Sequence, residues 1–363
     1  MVSGVYPGIF FKRLLVSLLL LACAGCVGPL PGREIEQATV YPSYGYRSGG
    51  HWVIPMRIWV HEPRRLTESA ITGLVSTTGG HSVAEVERFR ERISDLVADD
   101  ESREQVAFVF DNDPRAETFS LRDADGTAKR SDLNGLILGE VRLTAGRAEE
   151  LLEAQGSDHG WLRLHVVSPG HRGDGRVRLI EPQGLSVISD IDDTIKVTNI
   201  PAGREVVMEN TFYRPFVAAP GMAERYRGLG GETAFHYVSG GPWQLYRPLA
   251  AFIAAAGYPA GSFHMKSVRK NLLTPGAWQD LGKLAGGDAT EEQKLGQISG
   301  IIRHFPQRRF ILVGDSGEHD PEVYREIRNR FPRQIEAIWI RDVVDDRHRN
   351  PGRLNGMQII DAL

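Results

Sequence analysis

The pattern of hydrophobic and polar positions divides this chain into two parts. Up to about residue 182, short runs alternate apolar and polar residues, and the clearest contains Ile54, Met56, Ile58 and Val60. A period of two is typical of a strand with one buried face. From Gly184 onwards, continuous apolar runs alternate with stretches of helical period. The first part is therefore predicted to be mainly β and the second part to be α/β.

Further strands in the first part are predicted at Val106–Phe110, Gly139–Leu143, Trp161–Val167 and Arg176–Ile180. Ser82 followed by Glu85 is a capping-box pattern, which predicts a helix from there to about Ala98. Short strands separated by turn signals indicate a small antiparallel sandwich over residues 51–182, with this helix as an insertion. The region shows no catalytic constellation. Three histidines in it lack metal-ligand spacing and are interpreted as surface or sheet residues: His159, His165 and His171.

The second part, residues 183–363, predicts a parallel sheet. Its strand candidates are Leu185–Ser189, Ala234–Ser239, Ser262–Lys266, Arg309–Val313 and Ile335–Ile340. Its helix candidates are Ala223–Leu229, Trp243–Ala256, Glu291–His304 and Pro321–Arg330. Strands and helices that alternate in this way form a parallel sheet covered on both faces, with right-handed crossovers.

Length and composition are those of an ordinary globular protein. The 363 residues suffice for two domains, and 41% of them are hydrophobic while 25% are charged. The formal charge of −3 gives no global basic field, so nucleic-acid binding is not expected. No protein partner is predicted.

The N-terminus has the pattern of a signal peptide over residues 1–26. Lys12-Arg13 precede a short apolar run, Leu14 to Ala22, that is too short to span a bilayer. The two cysteines of the chain, Cys23 and Cys26, follow directly, so no disulfide framework is expected in the folded body.

The stretch around Cys26 resembles a bacterial lipoprotein signal, because small residues precede the cysteine. The resemblance implies lipidation of Cys26 and an exported lipoprotein, anchored to a membrane and facing the periplasm or the cell exterior. Lipidation of Cys23 and an ordinary cleaved signal remain alternatives. Residues 27–50, rich in Pro, Gly and polar residues at their ends, are predicted to be a flexible linker.

Candidate chemistry begins where the first predicted parallel strand ends. Asp190 and Asp192 stand there in an Asp-x-Asp-x-Thr pattern that is completed by Thr194. Two carboxylates so close can meet one metal ion or one phosphoryl group, and they repel each other unless a cation lies between them. The alternative is an Asx-turn or a helix cap.

Three further sites lie at strand or helix ends of the same predicted sheet. Ser239 is followed by Gly240, whose small size lets backbone amides approach an anion. Lys294 opens a helix, although a lone lysine there is commonly solvent-facing. Asp315 and Asp320, five residues apart after a strand, can supply metal ligands. The Gly-Asp-Ser-Gly at 314–317 also occurs in trypsin-like proteases, but the residues that follow it and the α/β context disfavour that interpretation.

Together these residues resemble the four motifs of the haloacid dehalogenase superfamily of phosphotransferases. In more detail, four stretches resemble the catalytic domain of the actin-patch-type phosphatidate phosphatases, which are distant relatives of the lipins. They begin at Ile188, Pro220, Tyr237 and Gly314. The resemblance covers about residues 175–345, and it extends to the first part only by loose analogy. It implies a haloacid dehalogenase-like, doubly wound parallel sheet with a small cap insertion.

The resemblance also implies roles for individual residues. Asp190 would be the nucleophile that forms an aspartyl-phosphate, and Asp192 the general acid and then the general base. Asp192 is expected to hold a proton near neutral pH and Asp190 to stay ionised. Mg²⁺ would be held by Asp190, the backbone carbonyl of Asp192, and Asp315. Asp320 would be a further ligand or would contact the ligands without contacting the ion. The residues implied to bind the phosphoryl group are Thr194, Ser239, Gly240 and Lys294.

The function implied is that of a membrane-tethered, Mg²⁺-dependent phosphatase of lipid metabolism, hydrolysing phosphatidate to diacylglycerol and phosphate. A phosphatase acting on another lipid or on a soluble phosphomonoester remains an alternative, as does a non-catalytic phosphatidate-binding module. Four residues are candidates for apolar surface at the site, unless they form a packed core: Phe212, Tyr213, Phe216 and Met222. A basic cluster is a candidate headgroup contact or a solvated loop: Lys266, Arg269 and Lys270.

Overall fold

The computed structural model describes residues 27–28, 35–63, 65–66, 80–267 and 288–360. The predicted signal peptide, both cysteines, Arg269 and Lys270 lie outside the described residues. Within that part of the chain, no helix is long and apolar enough to cross a membrane.

The strands, in chain order, are β1 (Val27–Gly28), β2 (Glu36–Val40), β3 (Ser43–Ser48), β4 (His51–Glu62), β5 (Arg65–Leu66), β6 (Asp99–Asp100), β7 (Ala107–Phe110), β8 (Phe119–Ser120), β9 (Leu136–Thr144), β10 (Trp161–Val166), β11 (His171–Arg172), β12 (Asp174–Leu179), β13 (Leu185–Ser189), β14 (Ala234–Pro242), β15 (Ser262–Lys266), β16 (Arg309–Asp315), β17 (Ile335–Arg341) and β18 (Gln358–Ile359). The α-helices are α1 (Val83–Ser94), α2 (Ala145–Ala154), α3 (Arg204–Met208), α4 (Met222–Arg227), α5 (Tyr246–Ala255), α6 (Asp288–His304), α7 (Asp320–Arg330) and α8 (Asp346–Arg349). Short 3₁₀ turns occur at Ile200–Ala202, Trp243–Leu245 and Pro351–Leu354, and a π-helical turn at Glu209–Tyr213.

The first part of the chain folds into one curved sheet with the strand order β11-β2-β4-β3-β12-β10-β7-β8, in which β6 and β9 also pair with β4. The alternating residues of β4, from Ile54 to Val60, are buried as predicted, so the period-two interpretation is confirmed. Arg122, just beyond β8, exchanges backbone hydrogen bonds with Glu140 of β9 at 3.2 and 2.7 Å. The sheet therefore curls around its own core and nearly closes on itself. We refer to this unit as the β domain.

The prediction of a flexible linker over residues 27–50 is wrong for Glu36 to Ser48, which form β2 and β3 on one edge of β4. Apolar side chains explain the order, since Val40, Tyr41 and Tyr44 are all buried. Tyr41 packs on the ring of Trp243 in the second part of the chain, with the two centroids 4.5 Å apart. Burial against a distant segment cannot be read from local composition.

The predicted helix after Ser82 is confirmed as α1, with its capping box. The backbone N–H of Ser82 donates to Glu85 Oε2 at 2.8 Å, and the N–H of Glu85 donates to Ser82 Oγ at 3.4 Å. Its buried side chains, Phe89 and Ile93, pack into the core of the second part. Helix α2 was not predicted.

The second part contains an all-parallel sheet of six strands in the order β15-β14-β13-β16-β17-β18. The five predicted strands and four predicted helices are present, and β18 is additional. Neighbouring residues of β13 point to opposite faces: Val187 joins one apolar core and Ile188 another. Both faces are thus covered, and the prediction of a mainly-β part followed by an α/β part with a parallel sheet is confirmed. The haloacid dehalogenase-like topology and the cap stay predictions.

Candidate active site

The order of the parallel strands brings the predicted motifs to one edge of the sheet. β13 lies at the centre, hydrogen-bonded to β14 on one side and β16 on the other. Asp190 directly follows β13, Ser239 lies near the end of β14, and Asp315 ends β16. Ligands bind at this carboxyl edge in open α/β sheets.

Lys294 of α6 lies among the carboxylates rather than facing solvent. Its Nζ lies 2.9 Å from Asp190 Oδ1, 2.6 Å from Asp320 Oδ1 and 3.6 Å from Glu318 Oε2. All four side chains are buried, with no more than 8% of any of them exposed. The alternative of a solvent-facing lysine is therefore wrong.

The carboxylates outnumber the cations at this point. Asp190, Asp315 and Asp320 each place a carboxylate oxygen within 4.8 Å of the others. Burial raises the pKa of Asp190 well above its usual range, Lys294 opposes this, and the charges of Asp320 and Glu318 raise it further. The expectation that Asp190 stays ionised is therefore not met by the protein alone. Burial likewise raises the pKa of Asp315, as do the charges of Asp320 and Asp190. A buried excess of negative charge is the environment that a bound cation stabilises.

Two oxygens of this cluster are free to take a ligand. Oδ2 of Asp190 and Oδ2 of Asp315 are buried and have no hydrogen-bond partner among the described residues. Buried polar atoms are normally hydrogen-bonded, so an orphaned pair at a strand edge is a candidate site for a bound group. Three clustered carboxylates are hard oxygen donors of the kind that Mg²⁺ prefers.

Asp192 faces a different set of neighbours. Its Oδ1 lies 2.8 Å from Lys196 Nζ and accepts a hydrogen bond of 2.6 Å from Thr198 Oγ1. Burial raises the pKa of Asp192, but the charge and hydrogen bond of Lys196, together with Thr198, outweigh it, and the net pKa is lowered. The expectation that Asp192 holds a proton near neutral pH is wrong for this structure, because Lys196 is its partner.

Asp193 shapes the turn that carries these groups. It adopts a left-handed backbone conformation, with φ of 53°. Its carboxylate accepts backbone hydrogen bonds from Thr198, Asn199 and Ile200 at 2.6 to 2.8 Å. Asp193 thus has a structural hydrogen-bonding role: it fixes the loop that delivers Thr198 to Asp192.

The predicted phosphoryl-binding residues lie beside Asp192. Ser239 Oγ lies 3.5 Å from Asp192 Oδ2 and accepts the backbone N–H of Gly241 at 2.9 Å. Gly240 leaves no space for a side chain, since a Cβ there would lie 2.9 Å from Thr290 Cγ2. Thr194 is buried, and its Oγ1 has no hydrogen-bond partner among the described residues.

The prediction missed three residues of the site: Lys196, Thr198 and Glu318. Lys196 follows Asp192 by four residues, and Glu318 lies between Asp315 and Asp320, so both were visible as charged neighbours of the motifs. Their roles depend on the path of the loops. Lys266, proposed as a headgroup contact, donates to Thr290 Oγ1 at 3.2 Å.

A pocket with an empty volume of about 730 Å³, part of it open to solvent, begins at Asp192, Lys196 and Glu318. Its remaining walls are mostly apolar and include Ile200, Val207, Met208, Phe212, Phe216, Leu245 and Leu249. Phe212 and Phe216 therefore line the pocket beside the site, as the sequence analysis predicted. Tyr213 instead stacks on Phe89 at 4.8 Å, and Met222 is buried in the core. For those two residues, the alternative of a packed core is confirmed.

The fold and site define a class: an α/β domain with clustered carboxylates and one lysine at the carboxyl edge of a parallel sheet. Residues 185–342 match the sequence family of the phosphatidate phosphatase APP1 catalytic domain. This range contains every residue of the site described above. The predicted resemblance is thereby confirmed: this part of the chain resembles a catalytic domain of the APP1 type.

Two curated relatives share this region. The chain is 34% identical to phosphatidate phosphatase APP1 of Saccharomyces cerevisiae over 166 residues, which are 45% of this chain and 26% of the yeast protein. It is 32% identical over 177 residues to an uncharacterized protein of Schizosaccharomyces pombe, covering 47% of this chain and 27% of that protein. The chain thus matches about a quarter of the length of each relative.

Proposed function

We propose that this protein is an Mg²⁺-dependent phosphatase that hydrolyses phosphatidate to diacylglycerol and phosphate. One observation carries the proposal: the orphaned carboxylate oxygen of Asp190 lies beside Lys294 and Asp315, next to an apolar pocket that begins at Asp192. The name of the yeast relative points to the same activity.

The residues present fit a divalent cation. Asp190, Asp315 and Asp320 would hold Mg²⁺ through their carboxylates, with the backbone carbonyl of Asp192 as the further ligand that the family resemblance implies. When bound, the ion would neutralise charge on the carboxylates and on the phosphoryl oxygens.

In the proposed first half-reaction, a carboxylate oxygen of Asp190 attacks phosphorus. The bond from phosphorus to the diacylglycerol oxygen breaks, the electron pair stays on that oxygen, and Asp192 supplies its proton. Asp192 is ionised in the resting structure, so it must take up a proton before this step. Lys294 and Ser239 lie where they can bind the oxygens of the transferring phosphoryl group.

In the second half-reaction, Asp192 acts as a base. Its lowered pKa suits this role, because a carboxylate held ionised by Lys196 is ready to accept a proton from water. The water oxygen attacks phosphorus, the bond between phosphorus and Asp190 breaks, and inorganic phosphate leaves.

The apolar pocket supports a lipid substrate over a small phosphoester. Its walls adjoin the polar end of the site, so a phosphate at Asp190 would leave its apolar remainder near Phe212, Phe216 and Leu249. Burial of apolar surface there would favour phosphatidate over glycerol 3-phosphate.

The N-terminal lipid anchor and the export of the protein stay part of the proposal. Because β2 begins at Glu36, the chain between Cys26 and the β domain has fewer residues than a linker ending at His51 would have. Cell fractionation of Cys26→Ser, with Cys23→Ser as the matched variant, identifies the modified cysteine.

Phosphate release tests the proposed function. The substrates are phosphatidate in mixed micelles, glycerol 3-phosphate and p-nitrophenyl phosphate, each with Mg²⁺ and with excess EDTA. We expect kcat/KM to be highest for phosphatidate and turnover to stop in EDTA. Equal turnover of the small esters would overturn the lipid assignment, and binding of phosphatidate without any phosphate release would indicate a binding module.

A further inference from the structure

A second cluster of ligand-type side chains lies on the β domain, remote from the parallel sheet. Glu36 begins β2, His171 begins β11, and Glu104 lies in the segment between β6 and β7. One ligand atom of each lies within 4.8 Å of the others. β11 pairs with β2 so that His171 stands opposite Glu36, and sheet register therefore fixes two of the three.

The third residue is also held in place. The backbone N–H of Glu104 donates to Ser131 Oγ at 2.8 Å, and the carbonyl of Glu104 accepts the N–H of Ser131 at 2.9 Å. Ser131 is buried and also donates to the carbonyl of Glu101 at 2.6 Å. The three side chains thus converge from three segments with fixed backbones.

The imidazole of His171 points between the two carboxylates. Its Nε2 lies 3.1 Å from Glu36 Oε2 and 3.5 Å from Glu104 Oε2, and the side chain is only 6% exposed. Neither ring nitrogen has a hydrogen bond with proper geometry to any described residue. Ligands about 2.1 Å from one zinc ion at the tetrahedral angle lie about 3.4 Å apart, which matches these separations.

The surrounding charge favours a cation. Burial raises the pKa of Glu36, and the charges of Glu104 and Glu62 raise it further, with His171 opposing them. Burial and the charges of Glu62 and Glu36 also raise the pKa of Glu101. Acidic groups thus repel one another around a single imidazole.

We propose that Glu36, Glu104 and His171 bind a divalent transition-metal ion of the zinc class. One imidazole nitrogen and two carboxylate oxygens form a donor set that suits Zn²⁺, with water completing the coordination from the more exposed side of Glu104. An ion pair between His171 and Glu36 without a metal is the competing explanation, and the zinc titration below distinguishes the two. The ion would join β2 and β11 to the segment before β7 and so stabilise the β domain.

Zinc binding to the full chain, stripped of metal, tests this site. The probe is ZnCl₂, titrated against a chromophoric chelator. Every protein in the titration also carries the substitution Asp315→Asn, because this change weakens metal binding at the candidate active site. In this background we expect one tight zinc site and an increase in Tm of a few degrees on adding ZnCl₂.

Two variants remove ligands of the proposed site: His171→Gln and Glu104→Gln. Each should weaken the remaining zinc site at least tenfold, since even partners behind the ligands are worth about 10- to 100-fold in affinity. Each should also abolish the increase in Tm. Glu104 is 37% exposed, so its variant keeps the test valid if His171→Gln does not fold.

His165→Gln is the matched control. His165 is also a β-domain histidine, and its Nδ1 lies 2.8 Å from Asp111 Oδ1. Its substitution should leave zinc binding unchanged. The proposal is overturned if the Asp315→Asn protein binds no zinc, or if zinc affinity survives both ligand substitutions.

Discussion

Asp192 shows how two neighbours set the state of a partly buried carboxylate. Desolvation alone would favour its protonated form, but Lys196 and Thr198 both contact the same oxygen and reverse the balance. Lys196 is buried and the side chain of Asp192 is 22% exposed, so solvent screens the pair only in part. The resting site is therefore prepared for the hydrolytic half of the proposed reaction.

Replacing Lys196 by Met should alter the pH dependence of turnover. Loss of the ammonium raises the pKa of Asp192, because the close positive charge that lowers it is removed. Since the base form of Asp192 must be ionised, the acidic limb of the kcat profile should move to higher pH. Lys196→Arg keeps the positive charge, so the acidic limb of its kcat profile should stay close to the parental pH. An unchanged acidic limb in Lys196→Met would contradict the role given to Lys196.

The residues of the two candidate sites differ in how well the sequence predicted them. Asp190, Asp315 and Ser239 were predicted because each follows an apolar run, and the ends of parallel strands must meet. Lys196 and Glu318 were not assigned, because the loops that aim them have no periodic pattern. Glu36, Glu104 and His171 are far apart in sequence. Glu36 and His171 meet because β2 pairs with β11, and this register cannot be read from the sequence.

At the scale of elements, helix α1 connects the β domain to the substrate pocket. Arg92 Nη1 donates to the carbonyls of Thr211 and Arg214 at 2.6 and 2.8 Å. Its guanidinium lies 3.6 Å from the centre of the ring of Phe216, a wall of the pocket. An insertion in the β domain thus supports the segment that would bind lipid.

Arg92→Met keeps the apolar stem and removes the donors. Two part-buried hydrogen bonds to backbone carbonyls are lost, so stability should fall by about 1–3 kcal/mol, measured by urea unfolding. The pocket wall should loosen, which raises KM for phosphatidate several-fold and changes kcat/KM for p-nitrophenyl phosphate much less. Arg330→Met is the control, because Arg330 forms an exposed ion pair with Glu326 on α7. Equal losses on both substrates would show that Arg92 does not act through the pocket.

The elements also show where local patterns suffice. α1 follows from its capping box and β13 from its apolar run, and both begin where the sequence predicted. β3 was mistaken for linker because its tyrosines pack against the second part of the chain, whereas Ala38 and Val40 of β2 join the core of the β domain. Tyr44, for example, contacts His304 of α6 through a 2.9 Å hydrogen bond.

At the scale of the whole molecule, the two parts share a core that contains neutral histidines. His236 Nδ1 lies 2.7 Å from Ser262 Oγ, which lies 2.9 Å from His264 Nε2. Burial and, to a smaller extent, the positive charge of Arg57 lower the pKa of His264 from 6.5 to about 3. Burial also lowers the pKa of His236.

These histidines make the fold sensitive to acid. Below about pH 6.5 the unfolded chain takes up protons that the folded chain does not, so their stabilisation is complete above that pH and is lost as the pH falls towards 3. At pH 5.5 the loss is on the order of 1 kcal/mol for His264. His264→Gln should show a smaller drop in unfolding free energy between pH 7.5 and 5.5 than the parent. His348→Gln, on the exposed surface, should match the parent, and an unchanged drop in His264→Gln would refute the assignment.

The most direct test of the account is phosphate release from phosphatidate by Asp190→Asn in saturating Mg²⁺. The amide keeps the shape of the side chain but cannot form the acyl-phosphate, so turnover should fall by about three orders of magnitude or more. Asp345→Asn, an exposed change of the same kind in the same domain, should keep parental turnover. Parental turnover in Asp190→Asn would contradict the central claim that Asp190 is the nucleophile of a phosphatidate phosphatase.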